Sequence, residues 1–464
     1  MAFGFFKKKT SADLVFHNGK IYTHDEDFPY ADAVACAEGK IIAVGDFDAM
    51  DDIISSDTQV VDLDGKYMLP GFIDVHRSPV MACFDEKYIN LSDCADGDEA
   101  CERIANWVDS HYGDETVFGY GYREGCEPNQ DDIEEICEDR PLLLMCENGI
   151  NCIINSAAAD IVSATAEEEC VEVVTPAYIF NLLLPFDFEE IEEAVKEVSE
   201  DLCDKGITSV LNMQTPSYFE AIYQDSLVGM YNEEQLNHRF FGSYLMNRPL
   251  VSKGLVYQLM NRKTTCVELD GMVNAQVLNI YLNQKDCPVD FTAEMLGEIM
   301  CDVADKGFDF FIEAMEYEDL LTAYQAVEAV RGQGYKNIIT IASDYTLKEE
   351  DASLLEKDQS VITTWGSNLT AIHPVAAEVK TVSDAIDEMT VKAAQIVGMG
   401  DSLGMIEKGR LADFVVFERN PFECDLRTFS RLHAEMTVVN GQIVYDAEGE
   451  MMDEIYNMML SQHL

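Results

Sequence analysis

Leu69-Pro70-Gly71-Phe72-Ile73-Asp74-Val75-His76-Arg77-Ser78 constrains the fold of this chain more than any other stretch. Pro70-Gly71 punctuates its start, and Phe72, Ile73 and Val75 suit a short buried strand. In an extended chain Asp74, His76 and Ser78 project to one side. A strand that ends in polar groups on one side is how a parallel barrel builds its site, at the C-terminal ends of its strands.

Before this stretch the pattern is β. Leu14–Tyr22 reads as a hairpin with Asn18-Gly19 at its turn, and a second strand pair surrounds Glu38-Gly39-Lys40. Another turn at Asp64-Gly65 leads into the opening stretch. From Phe188 onward helix and strand alternate as a barrel requires. Ile191, Ala194, Val195 and Val198 give helical spacing, as do Leu320, Ala323, Tyr324, Val327 and Val330. Strands are expected at Gly206–Leu211, Arg239–Leu245, Val267–Gly271, Phe308–Met315, Asn337–Ala342 and Val361–Trp365. Val438–Tyr445 supplies a last hairpin, with Asn440-Gly441 at the turn. His17 and His24 fall in the leading β segment and are expected to be structural or exposed.

Composition excludes whole classes of function. The 87 Asp and Glu residues against 31 Lys and Arg give a formal charge of -56. Phosphates would be repelled at every face, so no nucleic-acid partner is expected. The acids run along the whole chain and read as a solvated surface suited to solubility or high salt. With 47% hydrophobic residues the chain is a folded protein. Its 14 cysteines lack any Cys-x-x-Cys pair and read as reduced thiols of a cytoplasmic protein. Met1–Lys9 is too short for a signal's apolar core, and no run reaches the ~20 apolar residues of a membrane span.

The opening stretch resembles the start of the barrel in the amidohydrolase superfamily, where Pro-Gly-Phe-Ile-Asp precedes a metal-binding His-x-His. Ser402–Phe417, with Gly404, Gly409-Arg410 and Ala412-Asp413, is similar to that family's closing signature. Phe118–Tyr122, Arg140–Leu144 and Asn155–Ala158 resemble the branch called amidohydrolase family 3, which includes N-substituted formamide deformylase-like enzymes. Where that branch has a histidine shortly before Asn-Ser, this chain has Ile150. The resemblance implies an α/β fold: a (β/α)8 TIM-type barrel with a composite β-sandwich built from both chain ends. It places the sandwich at 1–68 and 405–464 and the barrel at 69–404, with an inserted region at about 80–185. It also implies a homodimer and hydrolysis of carbon–nitrogen bonds other than peptide bonds.

The family's metal positions are mostly substituted. Ser78 stands where the second histidine belongs, and a hydroxyl is a poor ligand for zinc. Matching Asp270-Gly271 to the strand-four motif puts Cys266 at the lysine that carries the bridging carbamate. Glu313 replaces the next histidine, Ser343 the one after, and Asn368 the final aspartate, which serves as base. An amide cannot take up that proton. Five of six positions have changed, and only His76 is kept.

Three readings follow. The main one is a metal-free pseudoenzyme with a binding or assembly role for a small-molecule ligand. In it His76, Ser78 and Ser343 line the mouth, and Glu313 and Asn368 occupy the catalytic places. There His76 and Glu313 are expected to be partners, directly or through one water. The alternative is an active hydrolase with one zinc held by His76, Cys266 and Glu313. The third is metal-free chemistry with Glu313 or His76 as acid and base. The bland readings make His76 a hydrogen-bonded core histidine and Cys266 a small buried hydrophobe.

Overall fold

The computed structural model describes residues 11–75, 79, 83–84, 87–113, 115–123, 125–147, 151–171, 173–184, 188–213, 216, 218–246, 259–261, 263–264, 266, 269–282, 291–343, 345, 361–364 and 379–449. His76, Ser78, Ile150 and Asn368 lie outside the described residues.

Five strands open the chain: Leu14–Tyr22 (β1), Tyr30–Ala37 (β2), Lys40–Gly45 (β3), Gln59–Asp62 (β4) and Tyr67–Pro70 (β5). Phe72–Asp74 (β6) follows at once. The inserted region contributes Ile89–Asn90 (β7), Val117–Tyr122 (β8), Leu142–Cys146 (β9) and Cys152–Ile154 (β10). Ile207–Asn212 (β11), Arg239–Met246 (β12), Val273–Leu282 (β13), Asp309–Ala314 (β14), Ile339–Ala342 (β15) and Val361–Thr364 (β16) come next. Phe414–Phe417 (β17), Met436–Val439 (β18) and Gln442–Asp446 (β19) close it.

Strands from both ends of the chain join one eight-stranded sheet, ordered β19-β18-β17-β5-β1-β2-β3 with β4 on β1. Glu38-Gly39 and Asn440-Gly441 take positive φ at the two-residue turns of their hairpins, as expected. Asn18-Gly19 does not make a turn. β1 runs through it as one strand whose register against β2 slips between His17 and Ile21. Asn18 holds φ 57° and bonds Asp62, while a Cβ on Gly19 would meet the Leu63 side chain at 2.5 Å. Contacts from β4 and the turn after it make this dipeptide a bulge.

The second sheet has seven parallel strands in the order β16-β15-β14-β13-β12-β11-β6. Alternation along each strand separates two faces. Leu278, Ile280, Phe310, Ile312, Ile339 and Ile341 pack outward against Leu296, Met300, Leu320 and Val327 of two helices, Ala293–Ala304 and Tyr317–Gly332. Ile73, Val75, Leu211, Phe241, Val277, Phe311 and Ala342 form one inner cluster. Residues from six strands meet there, so the sheet curls around them. Ala393, Ile396, Val397 and Leu403 belong to the same cluster. Ile73 of β6 and Val75 just after it belong to this inner cluster. Asp74 is buried and in register with Val210 of another cluster, and the other two members of its expected row, His76 and Ser78, lie outside the described residues.

Five of the six expected strands lie where the sequence put them. The one expected at Val267–Gly271 does not. Residues 269–272 form a turn, and the strand begins at Val273.

Candidate functional site

The C-terminal ends of the parallel strands gather the polar groups. Glu313 lies in β14 in register with Tyr281 of β13 and Ala342 of β15. Asn279, fully buried two residues before Tyr281, donates from Nδ2 to Glu313 Oε1 at 3.0 Å. The same Nδ2 lies 3.3 Å from Met213 Sδ, beyond the end of β11. Ser243 of β12 donates to the Asn212 carbonyl at 2.7 Å. Ser343 directly follows β15, and its Oγ accepts from the Tyr345 backbone at 3.2 Å. Glu313 and Ser343 are both buried, on neighbouring strands at the same edge. The structure therefore brings these two sequence-derived positions together.

Cys266 is elsewhere. It sits in the turn ahead of β13, packed in the cluster of Leu269, Met272 and Val273. The eight steps from Val273 to Tyr281 span roughly 26 Å of strand, so Cys266 is at the opposite edge from Glu313. Gln224 donates to its Sγ at 2.9 Å. Burial pushes its thiol up, and the Gln224 bond offsets part of that, which leaves it a poor thiolate ligand. The match through Asp270-Gly271 fails because that dipeptide makes the turn before the strand, with both residues at positive φ. Asn279 is the residue of the fourth strand that faces Glu313. Alternation within Val273–Leu282, with Asn279 between the outward Leu278 and Ile280, is the signal that identifies it.

A cavity of about 290 Å³ is lined in part by Tyr281, the residue of β13 in register with Glu313. Leu245 and Tyr281 come from strand ends, Pro216 and Tyr218 from the segment after β11, and Tyr120, Gly121, Cys146 and Glu147 from the inserted sheet. Asn90 and Ser92 complete the lining, with Ser92 Oγ 2.6 Å from Asn90 Oδ1. Burial holds the Tyr218 phenol far above its ordinary range, with Tyr120 and Cys146 adding to the shift. The inserted Asn-Ser motif works at a distance as a brace. Asn155 caps the helix Ser156–Glu168 at Ala158, accepts from Leu142, and donates to the Cys137 and Arg140 carbonyls. That fixes the start of β9, whose far end carries Cys146 and Glu147.

The amidohydrolase family profile matches residues 59–252 and 374–445. This chain belongs to the amidohydrolase family. It is 23% identical to the putative amidohydrolase YtcJ of Bacillus subtilis over 93% of this chain and 99% of that one. Protein LONG AFTER FAR-RED 3 of Arabidopsis thaliana is 22% identical, over 89% and 88%. A metal-dependent hydrolase from Pyrococcus horikoshii superposes with a TM-score of 0.55 at 16% identity, covering 89% of this chain and 99% of that one. An adenosine deaminase from Xanthomonas campestris with bound zinc reaches 0.54 at 11%, over 98% and 100%. These likenesses establish the fold, a TIM-type barrel of the amidohydrolase kind.

Zinc takes thiolate, imidazole and carboxylate ligands. Among the described residues no three His, Cys, Asp or Glu side chains come together. Glu313 accepts from the Asn279 amide, whose Nδ2 also lies against the Met213 thioether, and an amide is a weaker zinc ligand than thiolate, imidazole or carboxylate. Among the described residues no helix is long and apolar enough to cross a membrane.

Proposed function

We propose that this amidohydrolase is a metal-free binding protein that holds a small molecule at the mouth of its barrel. Its ancestry is that of a hydrolase of carbon–nitrogen bonds, supported by the family match. The observation that carries the reading is the bond from Asn279 to Glu313. A carboxylate on the fifth strand is met by a neutral amide from the fourth, so its desolvation is offset by hydrogen bonding. The cavity that Tyr281 lines, beside Glu313 in register, supplies the volume and mixed lining of a small-molecule site.

The rival, a hydrolase with one metal, is supported by the zinc of the structural neighbour. With Cys266 at the other edge it must draw on His76 and Glu313 with ligands other than that thiol. An assay of the full chain on N-substituted formamides and small amides, with zinc or manganese supplied, separates the two. The binding reading expects no turnover above buffer. Metal-dependent turnover that disappears in both Glu313→Gln and His76→Ala would establish the rival.

A further inference from the structure

Phe118, Tyr120 and Tyr122 of β8 are spaced as one face of a strand, yet the first two belong to one core and Tyr122 to another. The break is at Gly121. The register against β9 passes from Tyr120–Met145 to Tyr122–Cys146, so Gly121 is an extra residue, and it takes φ 83°. This bulge turns Tyr122 away from the row that Phe118 and Tyr120 begin. Gly121 lines the mouth cavity and brings no side chain into it. Regular alternation would have put a third ring on this wall.

Aromatic rings hold the wall in place. Phe84, Phe118, Phe180 and Phe219 are fully buried and form a closed circuit, with successive ring centroids 6.0, 5.4, 6.0 and 4.8 Å apart. Tyr120 packs on Phe84 at 5.4 Å and Tyr218 on Phe180 at 4.7 Å. Both tyrosines are buried, and both line the cavity. Tyr281 and Leu245 face them from the barrel strands. Rings fixed in this way lose little freedom when a flat ligand packs on them. Ring-to-ring contact also adds to what buried area alone supplies, which a saturated body of the same size does not gain. At about 290 Å³ the cavity sits just below the roughly 300–1,000 Å³ of most ligand sites, which is room for one substituted ring.

We propose that the mouth cavity holds a monocyclic aromatic compound, whose ring completes the row of Phe118 and Tyr120. The inference rests on the binding reading above and adds the class of the ligand to it.

Isothermal titration of the full chain with two matched pairs tests this: benzyl alcohol against cyclohexylmethanol, and benzamide against cyclohexanecarboxamide. Each pair shares its polar group and differs in the ring. The aromatic member of each should bind about fivefold or more tightly. Tyr218→Leu, and separately Tyr281→Leu from the barrel side, should bring that ratio towards one by weakening the aromatic member. Equal or tighter binding of the saturated members overturns the proposal and sustains the binding site. An aromatic preference that survives in both variants also overturns it, because the ring would then sit elsewhere. Failure of all four probes to bind overturns it as well, and the turnover assay and metal content then judge the binding reading separately.

Discussion

The guanidinium of Arg239 and the carboxylate of Asp413 meet through two hydrogen bonds, Nε to Oδ2 at 2.7 Å and Nη2 to Oδ1 at 2.8 Å. Both are buried. Arg239 opens β12 of the parallel sheet, and Asp413 belongs to the closing signature just ahead of β17. Nη1 also donates to the Asp270 carbonyl and Nη2 to Asn440 Oδ1, while Asn440 N–H donates back to Asp413. One cluster thus ties the foot of the parallel sheet to the Asn-Gly hairpin of the other. Beside it the sheets close tightly, since a Cβ on Gly206 would meet Val415 at 2.2 Å.

Breaking this pair by removing one partner leaves the other charge buried. Asp413→Ala or Arg239→Met is expected to cost about 3–5 kcal/mol. Denaturant unfolding of each variant measures it. A loss below about 1 kcal/mol would show that the pair carries no structural weight.

His238, next to Arg239, is wholly buried beside Cys203, and burial drives its pKa down to about 4. A histidine depressed in the folded state binds its proton mainly when unfolded, so stability falls as pH drops from about 6.5 towards 4. Between pH 7 and 4 the chain should lose up to about 3 kcal/mol through this group. In His238→Gln that part of the loss should vanish. Parallel denaturation curves at the two pH values test it, and identical slopes for both proteins would contradict it.

With a formal charge of -56, self-repulsion opposes the compact state. Salt screens it, with a Debye length of about 10 Å at 0.1 M and about 3 Å at 1 M. The melting temperature should therefore climb as KCl rises from 0.1 to 1 M. A flat or falling curve would mean that the acidic surface costs the fold nothing.

At the mouth, Asn279→Asp would set two carboxylates against each other where an amide now donates. A loss of about 1–3 kcal/mol at pH 8 is expected. Asn279→Gln, which keeps the donor, serves as the control in the same unfolding experiment. Equal losses for the two would point to shape rather than charge.

The residues that the sequence made legible are those whose geometry is set locally. Glu38-Gly39 and Asn440-Gly441 declared their turns because a tight hairpin needs positive φ at both central positions. Asn18-Gly19 has the same chemistry, yet contacts with Asp62 and Leu63, more than forty positions away, bend it into a bulge. The strands at Phe310 and Ile339 were readable from apolar runs. β13 was not, because Asn274, Gln276 and Asn279 break its run with polar groups facing inward. Asn274 and Gln276 contact Met399 and the Val397 carbonyl on the segment that joins the inner cluster, and Asn279 contacts Glu313. That same polarity hid the partner of Glu313 and let Cys266 take its place in the sequence reading. The cavity was illegible for another reason: its described lining comes from six separate stretches of the chain.

The metal content of the protein, purified without chelator and read by mass spectrometry, tests the central claim most directly. The account predicts zinc, manganese and iron well below one per chain, with no change in His76→Ala. One tightly held metal per chain, lost in His76→Ala, would contradict it.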